Sequence, residues 1–152
     1  MTRLLALLIL AATLAGCTMP KLPALPAPTP TPDAEALFWA RYAVLDAPYD
    51  AMIAQINAPD WADPAWRDEL ARRADVWREA VEALRTMEQP TGERWADAWP
   101  TIRAALDEYA YAAGAVESAA TANDSALMGP VKDRLIDGVN LMHEAMRLLE
   151  DK

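Results

Sequence analysis

Few residues of this chain carry reactive or metal-binding side chains. There is one cysteine, Cys17, and one histidine, His143, together with seven methionines and six tryptophans. A thioether set joined by an imidazole is copper chemistry, and a His–Met pair on different helices can hold haem. Met87, Met142 and Met146, with Trp95 and Trp99, form a candidate ligand pocket for an apolar molecule, copper or haem. For haem, the first helical segment offers only Met52, toward its far end. No Cys-x-x-Cys-His occurs, and the paired Glu-x-x-His motifs of a di-iron bundle are missing from the sequence. All five candidates also fall on apolar stripes at helical spacing, where such residues fill a core. His143 flanks its stripe beside Met142, which predicts a place at the solvent edge.

Nucleophilic catalysis requires a base beside Ser or Cys. His143 has no Ser near it in sequence, and Asp and Glu fall mainly off the stripes, where solvation accounts for them. Glycine is scarce, at five residues, and no phosphate-cradling loop is formed. The expectation is a non-enzyme, with no catalytic residue, no bound metal and no cofactor.

Cys17 has a different chemistry, set by what precedes it. Arg3 is followed by an uncharged apolar run, Leu4 to Leu14, and then by the small residues Ala15 and Gly16. The run is too short to cross a bilayer and has the layout of a cleaved secretory signal. Leu14-Ala15-Gly16-Cys17 resembles the lipobox of bacterial lipoproteins. The resemblance implies cleavage between Gly16 and Cys17, a diacylglycerol on the thiol and acylation, typically with palmitate, of the new amine. Several acyl chains hold a protein on a membrane where one does not. Thr18 in place of Asp would, in a two-membrane bacterium, favour the periplasmic face of the outer membrane. With its one cysteine lipidated, the chain can form no internal disulfide and must fold by packing.

The net charge of −9 disfavours nucleic acid and anionic lipid headgroups as partners. Between the cysteine and the first helix lie Pro20, Pro23, Pro26, Pro28, Pro30 and Pro32. Proline fixes φ and donates no hydrogen bond, so residues 17–32 read as the lipidated Cys17 followed by an extended spacer, reaching up to about 45 Å.

Residues 33–152 show helical periodicity throughout and predict an all-α, antiparallel up-down-up-down four-helix bundle. The first stripe is Phe38, Tyr42, Leu45, Tyr49, Met52 and Ile56, with Asp33 as cap and Pro48 predicting a kink near Asp46. The second, capped by Asp63, is Trp66, Leu70, Ala74, Trp77, Val81, Leu84 and Met87, with outer pairs Asp68–Arg72 and Glu69–Arg73. The third, with Thr91 as expected cap and Pro100 predicting a bend, is Trp95, Trp99, Ile102, Leu106, Tyr109, Ala113 and Val116. The fourth, regular from about Pro130, is Met128, Val131, Leu135, Val139, Met142, Met146 and Leu149.

Antiparallel order gathers Trp39, Met87, Trp95, Trp99, Met142, His143 and Met146 at the membrane-proximal end and Trp61 and Trp66 at the other. An exposed Trp61, with the loops 57–63 and 123–125, is therefore the expected interaction surface. The functional expectation is a lipid-anchored, extracytoplasmic, non-catalytic bundle that binds another envelope protein. The alternative is a small-molecule or metal-binding lipoprotein that uses the Trp/Met-rich end. The globular part resembles helical domains of bacterial lipoproteins in general, without a motif that carries a function across.

Overall fold

Helix starts in this chain follow from its capping residues. The computed structural model describes residues 33–150. The segment 1–16, Cys17 and the Pro-rich spacer up to Pro32 lie outside the described residues, as do Asp151 and Lys152. Asp33 caps α1 (Ala34–Tyr42), its carboxylate accepting from the Glu35 N–H at 3.3 Å. A tight turn follows, in which the N–H groups of Ala43, Val44 and Leu45 donate to the carbonyls of Trp39, Arg41 and Tyr42. The chain then re-enters a helix as α2 (Asp46–Asn57), with Pro48 in its first turn. The first segment is thus two helices.

Asp63 caps α3 (Pro64–Arg85) through the Ala65 N–H at 2.9 Å, with proline at the first position, where an N–H would have no partner. At α4 (Glu93–Ala122) the expected cap, Thr91, is replaced by Gly92 at φ 120°, with no side-chain cap bond. The reason is steric. Only glycine adopts that φ freely, and it lets the chain turn from the buried Pro90 into the helix. Asn123, left-handed at φ 50°, closes α4. Asp124 then caps a short 3-10 turn, Ser125–Met128, and α5 (Val131–Glu150) starts directly after Pro130. No strand occurs among the described residues, and none of their helices is long and apolar enough to cross a membrane.

The four helical segments share one core. α4 is its centre, packed between α3 and α5, and it buries Ala98, Ala105, Ala112 and Ala119 as well as its expected stripe. Gly138 on α5 lies against the Tyr109 ring, which permits close approach of the two helices. α1 and α2 pack on α3, tied there by bonds from side chains to main chain. Arg73 Nη1 donates to the Ala51 carbonyl at 2.7 Å, Gln55 Nε2 to that of Trp66 at 3.3 Å, and Arg41 to that of Ala83. Among the described residues, the backbones of α1 and α2 come into contact with that of neither α4 nor α5. One seam of the bundle is open.

The ion pairs expected along α3 form with one change. Arg72 does not join Asp68 but forks onto both oxygens of Glu69 at 2.7 Å, while Arg73 Nε reaches the same carboxylate at 2.6 Å. The i,i+3 fork satisfies two donors at once. These hydrogen bonds, first from Arg72 and then from Arg73, hold the Glu69 carboxyl down at about 2.

Candidate functional site

The open seam forms a cleft of about 170 Å³. Tyr42, Leu45, Asp46 and Tyr49 form one wall, Trp77 and Tyr109 the floor, and Val139, Met142 and His143 the other wall. Each side chain is there for a reason of register. Tyr42, Leu45 and Tyr49 are consecutive members of the first apolar stripe, so they face inward, but no α5 backbone closes over them. Trp77 lies at the middle of α3 and is 2% exposed. Its ring centroid is 5.4 Å from that of Tyr49 and 5.5 Å from that of Tyr109, with the planes inclined by 51° and 50°. The three rings therefore make a curved floor and not a flat stack.

The phenols of this cleft stay protonated. Burial raises the Tyr109 phenol far above its ordinary value, and Tyr42, Tyr49 and Asp46 push it the same way. Burial also raises Tyr42, with Asp46 adding to it, and raises Tyr49, with Asp50 adding to it. A phenol in this state donates and accepts hydrogen bonds but does not act as a base. None of the three phenols bonds to another residue among the described ones, and no buried side-chain oxygen or nitrogen there is left without a partner. Their hydroxyls are accordingly open to the cleft. Asp46 stands at the start of α2, and no Lys or Arg lines the walls.

The candidate Trp/Met pocket is divided among different surroundings. Met87 is a core residue at the end of the α3 stripe. Met142 is buried and lines the tyrosine cleft, next to an exposed His143. Trp95 and Trp99 are buried side by side, their centroids 6.3 Å apart, and both pack edge-on to Phe38, at 5.0 and 6.0 Å. Met146 joins Trp39, Arg94, Trp95, Leu149 and Glu150 in a separate surface groove. Glu35 binds beside that groove. It accepts from Trp95 Nε1 at 3.1 Å and Trp39 Nε1 at 3.5 Å, and it pairs with Arg94. These donors, Arg94 foremost, lower the Glu35 carboxyl below its ordinary range. No group of three or more His, Cys, Asp or Glu side chains among the described residues is placed to hold a metal ion.

Trp61 is not the exposed residue expected. It is half-buried, packed edge-to-face on Trp66 at 5.1 Å, while Trp66 Nε1 donates to the Ala58 carbonyl at 2.9 Å. The turn folds both indoles back onto the bundle end. The exposed apolar surface lies elsewhere. Tyr111, 51% exposed, and Leu127, 42% exposed, flank a groove over Ala110, Gly114, Ala115 and Pro130. The Arg134 guanidinium covers the Tyr111 ring at 4.7 Å.

Comparison of the chain with protein-family models, with curated proteins and with solved structures gave no match.

Sequence reasoning missed the tyrosine cleft as a site. Its signal was present, since three of the four tyrosines sit on stripes, at positions 42, 49 and 109, where phenylalanine would have filled a core as well. The Tyr111 groove gave less warning, because it depends on where the 3-10 turn lays Leu127 against α4.

Proposed function

We propose that this chain is a lipid-anchored, extracytoplasmic bacterial lipoprotein whose bundle is non-catalytic and works by contact with another envelope protein. The anchor reading rests on Leu14-Ala15-Gly16-Cys17 after its apolar run, and the Pro-rich residues that follow serve as the spacer. In a host with two membranes, Thr18 assigns the periplasmic face of the outer membrane. The bundle is read as antiparallel and up-down-up-down, in keeping with its short connections. Pro48 sets the division of the first segment, and Pro100, inside α4 and exposed, bends that helix.

The observation that carries the interaction reading is the groove flanked by Tyr111 and Leu127. Its floor of Ala110, Gly114 and Ala115 allows an approaching helix to come close, with Leu127 on one rim and Tyr111, covered by Arg134, on the other. The partner segment that this groove fits is a helix with an apolar face. The test is native mass spectrometry of C-terminally tagged protein, extracted from its own membrane in mild detergent. A stoichiometric partner that is lost on Leu127→Asp and Tyr111→Ala supports the reading. A partner retained by both variants refutes the groove, a bare acylated monomer refutes the stable complex, and an unmodified Cys17 refutes the anchor.

A second reading, ligand binding at the Trp/Met-rich end, is favoured by the groove where Trp39, Trp95 and Met146 meet. It would take an apolar molecule, or copper or haem through a thioether. Indole emission unchanged by apolar ligands, copper(I) and haem would remove it.

A further inference from the structure

We propose that the open seam between α2 and α5 is a binding site for an organic ammonium ion, a function separate from the partner groove and from the anchor. Four aromatic side chains, Tyr42, Tyr49, Trp77 and Tyr109, line one cleft with a carboxylate, Asp46, in its wall and His143 at its exposed edge. Aromatic faces carry the negative part of the ring quadrupole, and a cation within about 6 Å of a ring centroid is attracted to it. Tyr42 and Tyr49 are part-exposed around the buried Trp77, so a cation seated in the cleft is within reach of more than one ring at once.

Three observations select a cation over an anion or a plain hydrocarbon. The wall has a carboxylate and no Lys or Arg. The phenol hydroxyls open into the cleft as further dipoles, without protein partners among the described residues. The chain as a whole is acidic, at −9, which raises the local concentration of cations. Size selects among cations. The cleft of about 170 Å³ exceeds a bare metal ion and suits a group of roughly benzene size, as a cavity of about 150 Å³ does. A trimethylammonium or alkylammonium head fits that description. The same head occurs on free quaternary ammonium compounds such as choline and on zwitterionic lipids, and the chemistry of the cleft is common to both.

The test is calorimetric titration of the full chain in nonionic detergent with choline, and with its uncharged isostere 3,3-dimethylbutan-1-ol. The expected result is saturable binding of choline and at least tenfold weaker binding of the neutral analogue. Asp46→Asn, an exposed and nearly isosteric change, should weaken choline by about fivefold, and Tyr42→Leu by a similar factor. If Tyr42→Leu unfolds the protein, the Asp46 variant still decides. Micelles doped with phosphatidylcholine that displace choline, where phosphatidylglycerol does not, identify a lipid head as the occupant. Displacement by neither identifies a free ammonium compound. No saturable heat with choline, equal binding of the neutral isostere, or full affinity in Asp46→Asn overturns the proposal.

Discussion

Replacing Gly138 by alanine should create a clash whose sign depends on one other residue. A Cβ at Gly138 would stand 2.5 Å from Tyr109 Cε1, 2.6 Å from its Cδ1 and 3.3 Å from the Ala105 carbonyl oxygen. Carbon atoms pack at about 3.5–4.0 Å, so the ring must retreat by roughly 1 Å. It cannot do so freely, because Tyr109 is backed by Trp77 at 5.5 Å and Trp77 by Tyr49 at 5.4 Å. Overpacking of this kind costs about 1–3 kcal/mol. Alanine in place of glycine inside α5 gains back about 1 kcal/mol of helix propensity. In the native background Gly138→Ala is therefore expected to destabilise, by up to about 2 kcal/mol. In a Tyr109→Ala background the ring clash is gone and only the 3.3 Å contact with the Ala105 carbonyl oxygen remains, so the same change should be less costly and can stabilise by up to about 1 kcal/mol. The assay is urea unfolding of the four members of the cycle, followed by circular dichroism. Equal effects of Gly138→Ala in the two backgrounds would show that Tyr109 does not rest on this glycine, and the account of the α4–α5 contact would be wrong.

Two further outcomes follow from the geometry. Glu35 titrates below its ordinary range in the folded protein, held there first by Arg94 and then by the Trp95 and Trp39 N–H groups. Its contribution is thus complete above the unfolded value of about 4.3 and is lost as pH falls through the lower folded value. The melting temperature of Glu35→Gln should lie below that of the native protein at pH 7, with the gap closing below about pH 4. A gap that widens in acid would sink this reading. Gly92→Ala forces a side chain into φ 120°, although the nearest atom to its Cβ, Trp95 Cδ1, is 3.8 Å away. The expected cost is about 1–3 kcal/mol from backbone strain alone, read as a lower urea midpoint, and a neutral effect would contradict the turn geometry.

Much of the core was legible because apolar side chains recur at the period of a helix. Leu70, Ala74, Trp77, Val81 and Leu84 on α3, and Trp95, Trp99, Ile102 and Leu106 on α4, are buried as their spacing predicts. The caps Asp33 and Asp63 were legible too, and their carboxylates do what short acidic side chains do before a helix. The second, alanine stripe of α4 was not legible, since alanine contrasts weakly with its neighbours and is buried only because α4 has helices on two sides. Gly92 was passed over for Thr91, because a capping side chain is visible in sequence and a required φ is not. Trp61 was expected outside, since a turn's composition does not say which way the turn folds its indole. The cleft was hidden for a more general reason. Periodicity assigns Tyr42, Tyr49 and Tyr109 to a face, but whether a neighbouring helix covers that face depends on contacts between segments far apart in sequence.

Those contacts explain why the seam opens where it does. α1 and α2 are fixed to α3 by donors that reach main-chain carbonyls from Arg41, Gln55 and Arg73, so their place does not depend on α5. α5 is drawn onto α4 by Gly138 under the Tyr109 ring, and held there by Arg134 on Glu108 at 2.9 Å. Each outer segment is thus secured to the central pair and not to the other. Were they to close on each other, the phenols of Tyr42, Tyr49 and Tyr109 would lose water without gaining a protein partner, at a cost of about 1–3 kcal/mol for each hydroxyl. The open seam avoids that cost by leaving the hydroxyls hydrated while their rings still pack. Tyrosine at these stripe positions is consistent with a cleft that stays open, where phenylalanine would favour a bundle that shuts.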